Sequence, residues 1–227
     1  MIISYLILLI SGQLTLLQFL QYLCFSMLAV MIAMSFHEFS HALAAKLMGD
    51  RTAKEQGRLS LNPLAHLDPM GLLLLLLFGI GFAKPVNVNP RRFKNPRLGM
   101  ILTAAAGPLS NLILAFALMF GYIGAWIANY QNPSVFLQNL LLLLNITVWY
   151  NIVLAVFNLI PLPPLDGSKI LGELLPPKMR LSSYNLERYR FYIWIGLILV
   201  LNRTNIIETV GYGILSWFEQ IILPVFI

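Results

Sequence analysis

Long apolar runs are the feature that most limits how this chain can fold. Of its 227 residues, 59% are hydrophobic and only 11% are charged, and the mean hydropathy is +0.78. A soluble domain usually has about 25% charged residues, so this chain lacks the polar residues needed to cover a water-facing surface. We therefore predict an all-α polytopic membrane protein whose surroundings are mainly lipid.

Several apolar stretches reach the length of about 20 residues that a membrane-spanning helix needs. Ile2–Leu20 is interrupted by polar residues, so it is predicted to be either a first span or an interfacial segment. We predict five or six spans in one domain over residues 1–227, with a core near residues 22–175 and a C-terminal helical hairpin near 190–227. The other predicted helices are Tyr22–Leu47, Gly99–Ala128, Phe136–Leu159, Phe191–Leu201 and Ile206–Ile227.

The segment Gly79–Pro90 breaks the helical pattern. Valine and asparagine alternate over Val86–Asn89, and this period of two predicts a short strand. Pro85 and Pro90 restrict such a strand to a sheet edge or a hairpin. Non-helical backbone persists at membrane depth only where protein or a water-filled cavity satisfies it, so we predict a short re-entrant β-hairpin here.

Basic residues predict the orientation of the chain in its membrane. The loop Lys84–Arg97 contains five basic residues and no acidic one, the loop after Pro164 is also basic, and Asn129–Val135 has no charge. Cytoplasmic loops are enriched in Lys and Arg, so we expect the two basic loops in the cytoplasm of a bacterium and the protein in its cytoplasmic membrane. No nucleic-acid motif accompanies the net charge of +6, and a nucleic-acid partner is not expected.

The sequence His37-Glu38-Phe39-Ser40-His41 is an H-E-x-x-H motif inside a predicted span. Positions i and i+4 share one face of a helix, so both imidazoles can reach one metal ion. A zinc ion held there lowers the pKa of a bound water to roughly 7, and Glu38 is placed to take its proton and pass it to a leaving amine. The alternative is a buried polar cluster that packs against another helix.

Two histidines do not complete such a site, because catalytic zinc usually takes three protein ligands. Asp166, which follows a proline-rich turn, is the best-placed candidate for the third. Its alternative role is to cap a short helix over Gly167–Leu175, and spacing alone does not decide between the two. His66 is another candidate for the third ligand, but because it lies in a predicted loop we interpret it as a solvated or hydrogen-bonding residue. Cys24 is the single cysteine, which excludes a cysteine metal cluster.

At these residues the chain resembles the site-2 proteases, a family of intramembrane zinc metalloproteases. The likeness extends over roughly Ala29 to Leu175, and the segment Gly57–Pro69 resembles the small bacterial members that lack PDZ and CBS domains. The motifs that carry it are His37-Glu38-x-x-His41, Ala83-Lys84-Pro85-Val86, Gly107-Pro108-Leu-Ser-Asn111 and Asn158-Leu-Ile-Pro161-Leu-Pro163-Pro-Leu-Asp166-Gly167.

The resemblance implies a role for each matching residue. His37, His41 and Asp166 would ligate one zinc ion, and Glu38 would be the general base. Asn158 would help to stabilise the oxyanion, although an asparagine within a membrane is also a common interhelical hydrogen-bonding residue. An unwound substrate segment that adds to the hairpin as a further strand would be held extended. The expected substrate-binding residues are therefore Lys84, Pro85, Val86, Asn87 and Val88.

We therefore predict an intramembrane zinc metalloprotease that cuts peptide bonds in or near transmembrane segments, as in regulated intramembrane proteolysis. Its expected partners are a transmembrane substrate and the lipid bilayer, and a second copy or a regulatory membrane protein is also considered. The alternatives are a membrane protein that binds or moves zinc and an inactive relative that binds helices without cutting. Glu38 argues against both, because only a hydrolase needs a base next to a fixed metal.

Overall fold

The computed structural model describes residues 2–66, 68–71, 73, 84–176 and 188–226. This part of the chain is mostly helical, with short 3-10 helices at Pro63–Ala65 and Pro90–Arg92. The α-helices are α1 (Ile2–Ile10), α2 (Leu16–Leu47), α3 (Thr52–Glu55), α4 (Pro96–Gln131), α5 (Val135–Asn158), α6 (Asp166–Leu174), α7 (Arg190–Arg203) and α8 (Ile206–Phe226).

Four of these helices, α2, α4, α5 and α8, are long and apolar enough to cross a membrane. The helical character of the chain is thereby confirmed for the described residues, and four of its helices are candidate membrane spans. With 9 and 14 residues, α1 and α7 are shorter than the roughly 20 residues that a span needs. The total of five or six spans stays a prediction.

The N-terminal apolar stretch Ile2–Leu20 is divided between two helices. After α1 the chain turns at Gly12, whose φ of +73° favours glycine. Thr15 then begins α2 with a capping box, in which its hydroxyl accepts from the Gln18 amide and the Gln18 side chain accepts from the Thr15 amide. Because of this cap, α2 begins at Leu16 rather than at the predicted Tyr22.

The helical bundle is packed differently in its two halves. On α2, Ala29, Ala33 and Ala42 are at most 1% exposed, and small side chains of this kind let helix backbones approach closely. At the other end, α4, α5 and α8 share an apolar core of larger side chains. Its buried members are Ala115, Met119, Ile123, Val148, Ile152, Phe218 and Ile222.

Helix α6 is held against the ends of α4 and α5. A Cβ atom at Gly167 would collide with the carbonyl oxygens of Leu159 and Ile160, so only glycine permits this approach. At the other end of α6, the Arg97 guanidinium of α4 donates to the carbonyl oxygens of Glu173 (2.7 Å) and Leu174 (3.2 Å). These bonds satisfy carbonyls that a helix C-terminus leaves without partners.

The structure assigns no strand to Lys84–Asn89. The rest of the predicted hairpin, residues 79–83, lies outside the described residues, so the hairpin itself stays a prediction. Two amides of the segment donate toward the protein, that of Lys84 to the His66 carbonyl (2.8 Å) and that of Val86 to the Glu38 carboxylate (3.3 Å). Donors two residues apart that point the same way are typical of extended backbone.

Asp50 anchors the end of this segment. It is fully buried, and its carboxylate accepts hydrogen bonds from the Thr52 hydroxyl, the Thr52 amide and the Asn89 amide. Burial by itself raises the pKa of Asp50, but these hydrogen bonds outweigh it and place the pKa below the usual 3.8. A carboxylate with a lowered folded-state pKa stabilises the fold above its unfolded pKa, and this contribution is lost as the pH falls through the folded pKa.

We predict that Asp50→Asn lowers the free energy of unfolding at pH 7 by about 1–2 kcal/mol, because either orientation of the amide turns an NH₂ group toward one set of donors. Thermal unfolding in detergent would measure the change. The difference from the wild type should shrink as the pH falls below the ordinary aspartate pKa. Glu55→Gln is the control, since Glu55 forms an exposed ion pair with Arg92 and its loss should leave unfolding unchanged. Equal stability of Asp50→Asn and wild type at pH 7 would contradict the assignment.

Candidate metal centre

The three motif residues lie within little more than one turn of α2, and they face the interior of the bundle. His37, Glu38 and His41 are 5%, 9% and 7% exposed. The two imidazole rings are 4.6 Å apart and nearly perpendicular, at 88°. Their Nε2 atoms lie 3.1 Å (His37) and 3.0 Å (His41) from Oδ2 of Asp166 at the start of α6. The structure therefore brings together all three residues that were predicted to hold a metal.

The outer nitrogen of each imidazole faces a hydrogen-bond acceptor. Nδ1 of His41 lies 2.7 Å from the backbone carbonyl of Thr103, which can only accept, so this nitrogen donates. Nδ1 of His37 lies 2.6 Å from Oδ1 of Asn111. These contacts favour a proton on each Nδ1, so that with a metal ion bound the Nε2 lone pairs would point at the centre of the cluster, as metal-bound histidines require.

A chain of amides fixes the orientation of Asn111. Its Nδ2 donates to the carbonyl of Ala33 (2.9 Å) and to Oδ1 of Asn151 (2.7 Å), so its Oδ1 is the atom that faces His37. Asn151 in turn donates to the carbonyl of Thr147, one turn earlier in α5. Both asparagines are fully buried. This network links α2, α4 and α5 behind one imidazole and holds the ring in position.

Asp166 presents one oxygen to the histidines and the other to a lysine. The Lys169 ammonium donates to Oδ1 at 2.9 Å, while Oδ2 faces His37 and His41. Burial raises the pKa of Asp166, but the two neighbouring imidazoles and the Lys169 charge outweigh burial and hold the pKa well below its usual range. Asp166 is therefore ionised, which is the form that binds a metal.

The geometry fits one metal ion. Ligand atoms of His37, His41 and Asp166 all lie within 4.8 Å of one another. A single metal ion between the two Nε2 atoms and the carboxylate oxygen could be bound by all three residues. Two His and one carboxylate are also a donor set that catalytic zinc uses, with a fourth position left for water or substrate. The residues present therefore suit zinc.

Gly107 of α4 forms one wall of the centre. A Cβ atom built at this position would lie 2.5 Å from Cε1 and Nε2 of His41 and 2.7 Å from Cε1 of His37. Van der Waals contacts between carbon atoms begin near 3.5 Å, so any side chain here would displace the rings. The glycine of the Gly107-Pro108 pair thus makes room for the imidazoles.

Glu38 lies beside the cluster and contacts the segment predicted to bind substrate. Its Oε2 accepts the Val86 amide at 3.3 Å. Within that segment Lys84, Pro85 and Asn87 are exposed, whereas Val86 and Val88 are half-buried. The Asn87 side chain donates to Gln56 at 3.0 Å. The predicted base and the predicted substrate segment are therefore neighbours.

The remaining predicted residues lie outside this cluster. Asn158 ends α5, and its amide donates to the Leu154 carbonyl of the same helix at 2.9 Å. His66 is 1% exposed and bonds through Nε2 to the Ser60 carbonyl, which agrees with its interpretation as a loop hydrogen-bonding residue. The capping role considered for Asp166 is wrong, because Leu165 occupies the cap position and Asp166 is the first residue of α6.

Three contributors were missed by sequence reasoning. The Thr103 carbonyl is a backbone group, for which no residue type gives a signal. Asn151 could have been found as a polar residue within an apolar helix. Lys169 could have been found from its position three residues after Asp166, a spacing that lets opposite charges pair on a helix.

We predict that Gly107→Ala removes most of the bound zinc, since its methyl group would push both imidazoles out of position. Zinc per chain in the purified protein, measured by plasma mass spectrometry, would report the loss. Gly121→Ala on the same helix is the matched control, because its Cβ would meet only a Leu144 methyl group at 3.8 Å. Full zinc content in Gly107→Ala would contradict this description of the wall.

Comparison with known proteins identifies the family. The model of "Peptidase family M50" matches residues 120–201, which include Asp166. A Bacillus subtilis protein named "Putative zinc metalloprotease YwhC" is 43% identical over 170 residues, which cover 75% of this chain and 78% of the relative. A protein from Mycolicibacterium smegmatis with the same description, Rip2, is 31% identical over 182 residues, covering 76% of this chain and 66% of the relative.

A more distant match comes from Methanocaldococcus jannaschii. Its protein MJ0611, described in the same words, is 32% identical over 155 residues, which cover 64% of this chain and 68% of the relative. No solved structure matches the chain. Identity of 43% over three quarters of both chains leaves no doubt about kinship. The chain belongs to peptidase family M50, the site-2 protease family of zinc metalloproteases.

Proposed function

We propose that this protein is an intramembrane endopeptidase that hydrolyses peptide bonds in or near the transmembrane segments of other membrane proteins. The observation that carries the proposal is the convergence of His37, His41 and Asp166 on one point, with the Glu38 carboxylate beside them. This group lies among apolar helices that are long enough to span a membrane. A protease with such a centre can reach peptide bonds that soluble proteases cannot.

In the proposed mechanism, His37, His41 and Asp166 would hold zinc through the Nε2 atoms of the two histidines and Oδ2 of the aspartate. Zinc, when bound, polarises the scissile carbonyl and supplies a nucleophilic water near neutral pH. Asn111 and the Thr103 carbonyl would keep the proton of each imidazole on Nδ1, which leaves Nε2 as the ligating atom. Lys169 holds the second oxygen of Asp166, so that only one carboxylate oxygen faces the metal position.

Glu38 serves as the general base and then as the general acid. The Val86 amide binds Oε2, which leaves Oε1 to accept the proton of the attacking water. The same oxygen then delivers that proton to the nitrogen of the leaving amine. Proton transfer by a positioned carboxyl group contributes about 10²–10⁴-fold to a rate.

Asn158 is proposed to stabilise the oxyanion of the tetrahedral intermediate. An asparagine amide has two hydrogens, and the Leu154 carbonyl uses one of them. The second hydrogen remains for the developing charge on the substrate. A donor of this kind is worth about 10²–10³-fold in rate in other hydrolases.

The extended segment Lys84–Val88 is proposed to bind substrate by strand addition, as one edge of a re-entrant hairpin. A substrate helix must unwind before its peptide bond is accessible, and its freed backbone groups then need partners. Since Lys84 and Val86 donate toward the protein, the Asn87 amide of an extended segment points the opposite way. It has no acceptor among the described residues, and we propose that it pairs with an added chain. Glu38 would then lie next to the bound substrate backbone.

We further propose that residues 1–227 act as one transmembrane protease domain in a bacterial cytoplasmic membrane. The basic residues of the loops Lys84–Arg97 and Lys169–Arg190 favour a cytoplasmic position for the end of the bundle that carries the centre. Substrates would be single-pass proteins already shortened by another protease, as in regulated intramembrane proteolysis. Shortening would remove the bulk that keeps a substrate away from a buried site.

We predict that Glu38→Gln keeps its zinc and loses at least about 10²-fold in cleavage rate, because the amide cannot accept a proton. The test is cleavage of a single-pass substrate in proteoliposomes, with zinc content measured on the same samples. Glu55→Gln serves as the control, being an exposed carboxylate on α3. Equal cleavage by Glu38→Gln and wild type would show that Glu38 is not the general base, and a wild type that binds zinc without cleaving would contradict the proposed proteolysis.

We predict that Asn87→Pro abolishes cleavage while zinc content stays unchanged, since proline lacks the amide that would pair with substrate. Asn87→Ala is the matched variant: it removes the side-chain bond to Gln56 but keeps the backbone amide, so it should still cleave. Proline at Val86 is less informative, because it also removes the bond to Glu38. Strand addition at this segment is wrong if Asn87→Pro and Asn87→Ala cleave equally well.

A further inference from the structure

A second polar site lies in the apolar half of the bundle. A cleft of about 310 Å³ is enclosed by faces of α4, α5 and α8. Three apolar side chains form part of its lining. Its polar and aromatic groups are contributed by Tyr122, Asn145, Trp149, Tyr212 and Glu219.

The cleft is remote from the metal centre and lies between three helices that are candidate spans. Tyr122 lies fifteen residues beyond Gly107 on α4, which is roughly 22 Å at 1.5 Å per residue. Glu219 is thirteen residues from the start of α8 and seven from its end, or roughly 20 Å and 10 Å. The 21 residues of α8 match the thickness of the hydrocarbon core, which is about 30 Å, so we infer that this carboxyl group lies inside the core rather than at its surface.

Glu219 has no partner among the residues that the structure describes. None of them donates a hydrogen bond to its carboxylate or forms an ion pair with it. Acidic residues within spans are rare because they are costly to insert, and they usually pair with a basic group or mark a functional path. A partner for Glu219 is therefore expected from another molecule.

The cleft faces the lipid and offers groups suited to a cation. Asn145 is exposed and Tyr212 is 60% exposed, so a molecule diffusing in the membrane can reach them. The rings of Trp149 and Tyr212 are 4.7 Å apart, and Trp149 also packs closely on Gly211 of α8. A carboxylate without a partner favours an ammonium or guanidinium group. The two rings lie about two turns of α8, or roughly 10 Å, from Glu219, so they can contact the apolar stem of such a side chain.

We propose that this cleft docks the transmembrane helix of a different protein, through a Lys or Arg at the middle of that helix. Among the candidate spans that the structure describes, the only basic residues, Lys46 and Arg97, lie in terminal turns, so these spans of a second copy carry no cation at mid-helix. A headgroup amine of a lipid is anchored at the surface and does not reach this depth. The inference goes beyond the proposed proteolysis and does not depend on it.

Binding of a model helix in vesicles tests this proposal. The probe is a synthetic 21-residue Leu/Ala transmembrane peptide with Lys at its centre, and the matched peptide has Leu there. Energy transfer from a donor on Cys24, the single and exposed cysteine, to an acceptor on the peptide reports association in phosphatidylcholine vesicles. The proteins compared are the wild type, Glu219→Gln and Glu208→Gln, since Glu208 is an exposed carboxylate in the first turn of α8.

Wild type and Glu208→Gln should bind the Lys peptide about three- to tenfold more tightly than the Leu peptide, a range typical of polar contacts between helices in membranes. Glu219→Gln should bind the two peptides equally. The proposal is overturned if wild type shows no preference or if Glu219→Gln keeps it. Circular dichroism checks that each variant is folded.

A charge-reversal variant provides a second test, in which the expected result is a gain of binding rather than a loss. Glu219→Lys should prefer a peptide with a central Glu over the Leu peptide. Such a preference would support direct pairing at this position. Its absence in a folded Glu219→Lys protein would count against the proposal.

Discussion

The cost of placing ionisable groups among apolar helices governs this structure. Each such group inside a span costs at least about 2.5–3.5 kcal/mol, yet His37, Glu38 and His41 share little more than one turn of α2. Each of them has a polar partner supplied by another part of the chain: Asn111, the Val86 amide and the Thr103 carbonyl. Those partners must come within hydrogen-bond distance, and this requires the close helix contacts that alanine and glycine provide at this end of the bundle.

The same requirement explains how distant segments are joined. His37 and Asp166 are 129 residues apart in the chain and 3.1 Å apart in space, because Gly167 lets α6 approach the end of α5 and Arg97 holds the other end of α6. A metal ion bound by these residues would connect α2 to α6. Binding energy at such a centre is therefore also folding energy, and the loss of a ligand should weaken the fold as well as the chemistry.

The helices could largely be predicted from the sequence, and their boundaries less well. The length of the apolar stretches was enough to locate α2, α4 and α5, because a sufficiently long apolar helix is stable in a lipid bilayer. Their first residues depend instead on single polar side chains: Thr15, Asn95 and Ser134 each accept a bond from an amide in the first turn. Apolar length did not predict the helix boundary within Ile2–Leu20. A turn at Gly12 divides this stretch into two helices, although the residues on both sides are apolar.

By itself, the sequence indicated that the chain belongs in a lipid environment and where its main helices lie, because both depend on composition and apolar length. It also indicated the family and the three residues of the H-E-x-x-H motif, because these depend on short motifs and on spacing within one helix. Only the tertiary structure decided that Asp166 faces the histidines rather than capping a helix, and that Asn111, Asn151 and a backbone carbonyl support the rings. It also revealed the cleft around Glu219, which three separate helices form. Contacts of this kind depend on how helices far apart in the chain pack together. A backbone carbonyl is present in every residue, so the sequence gives no signal for the one that contacts His41.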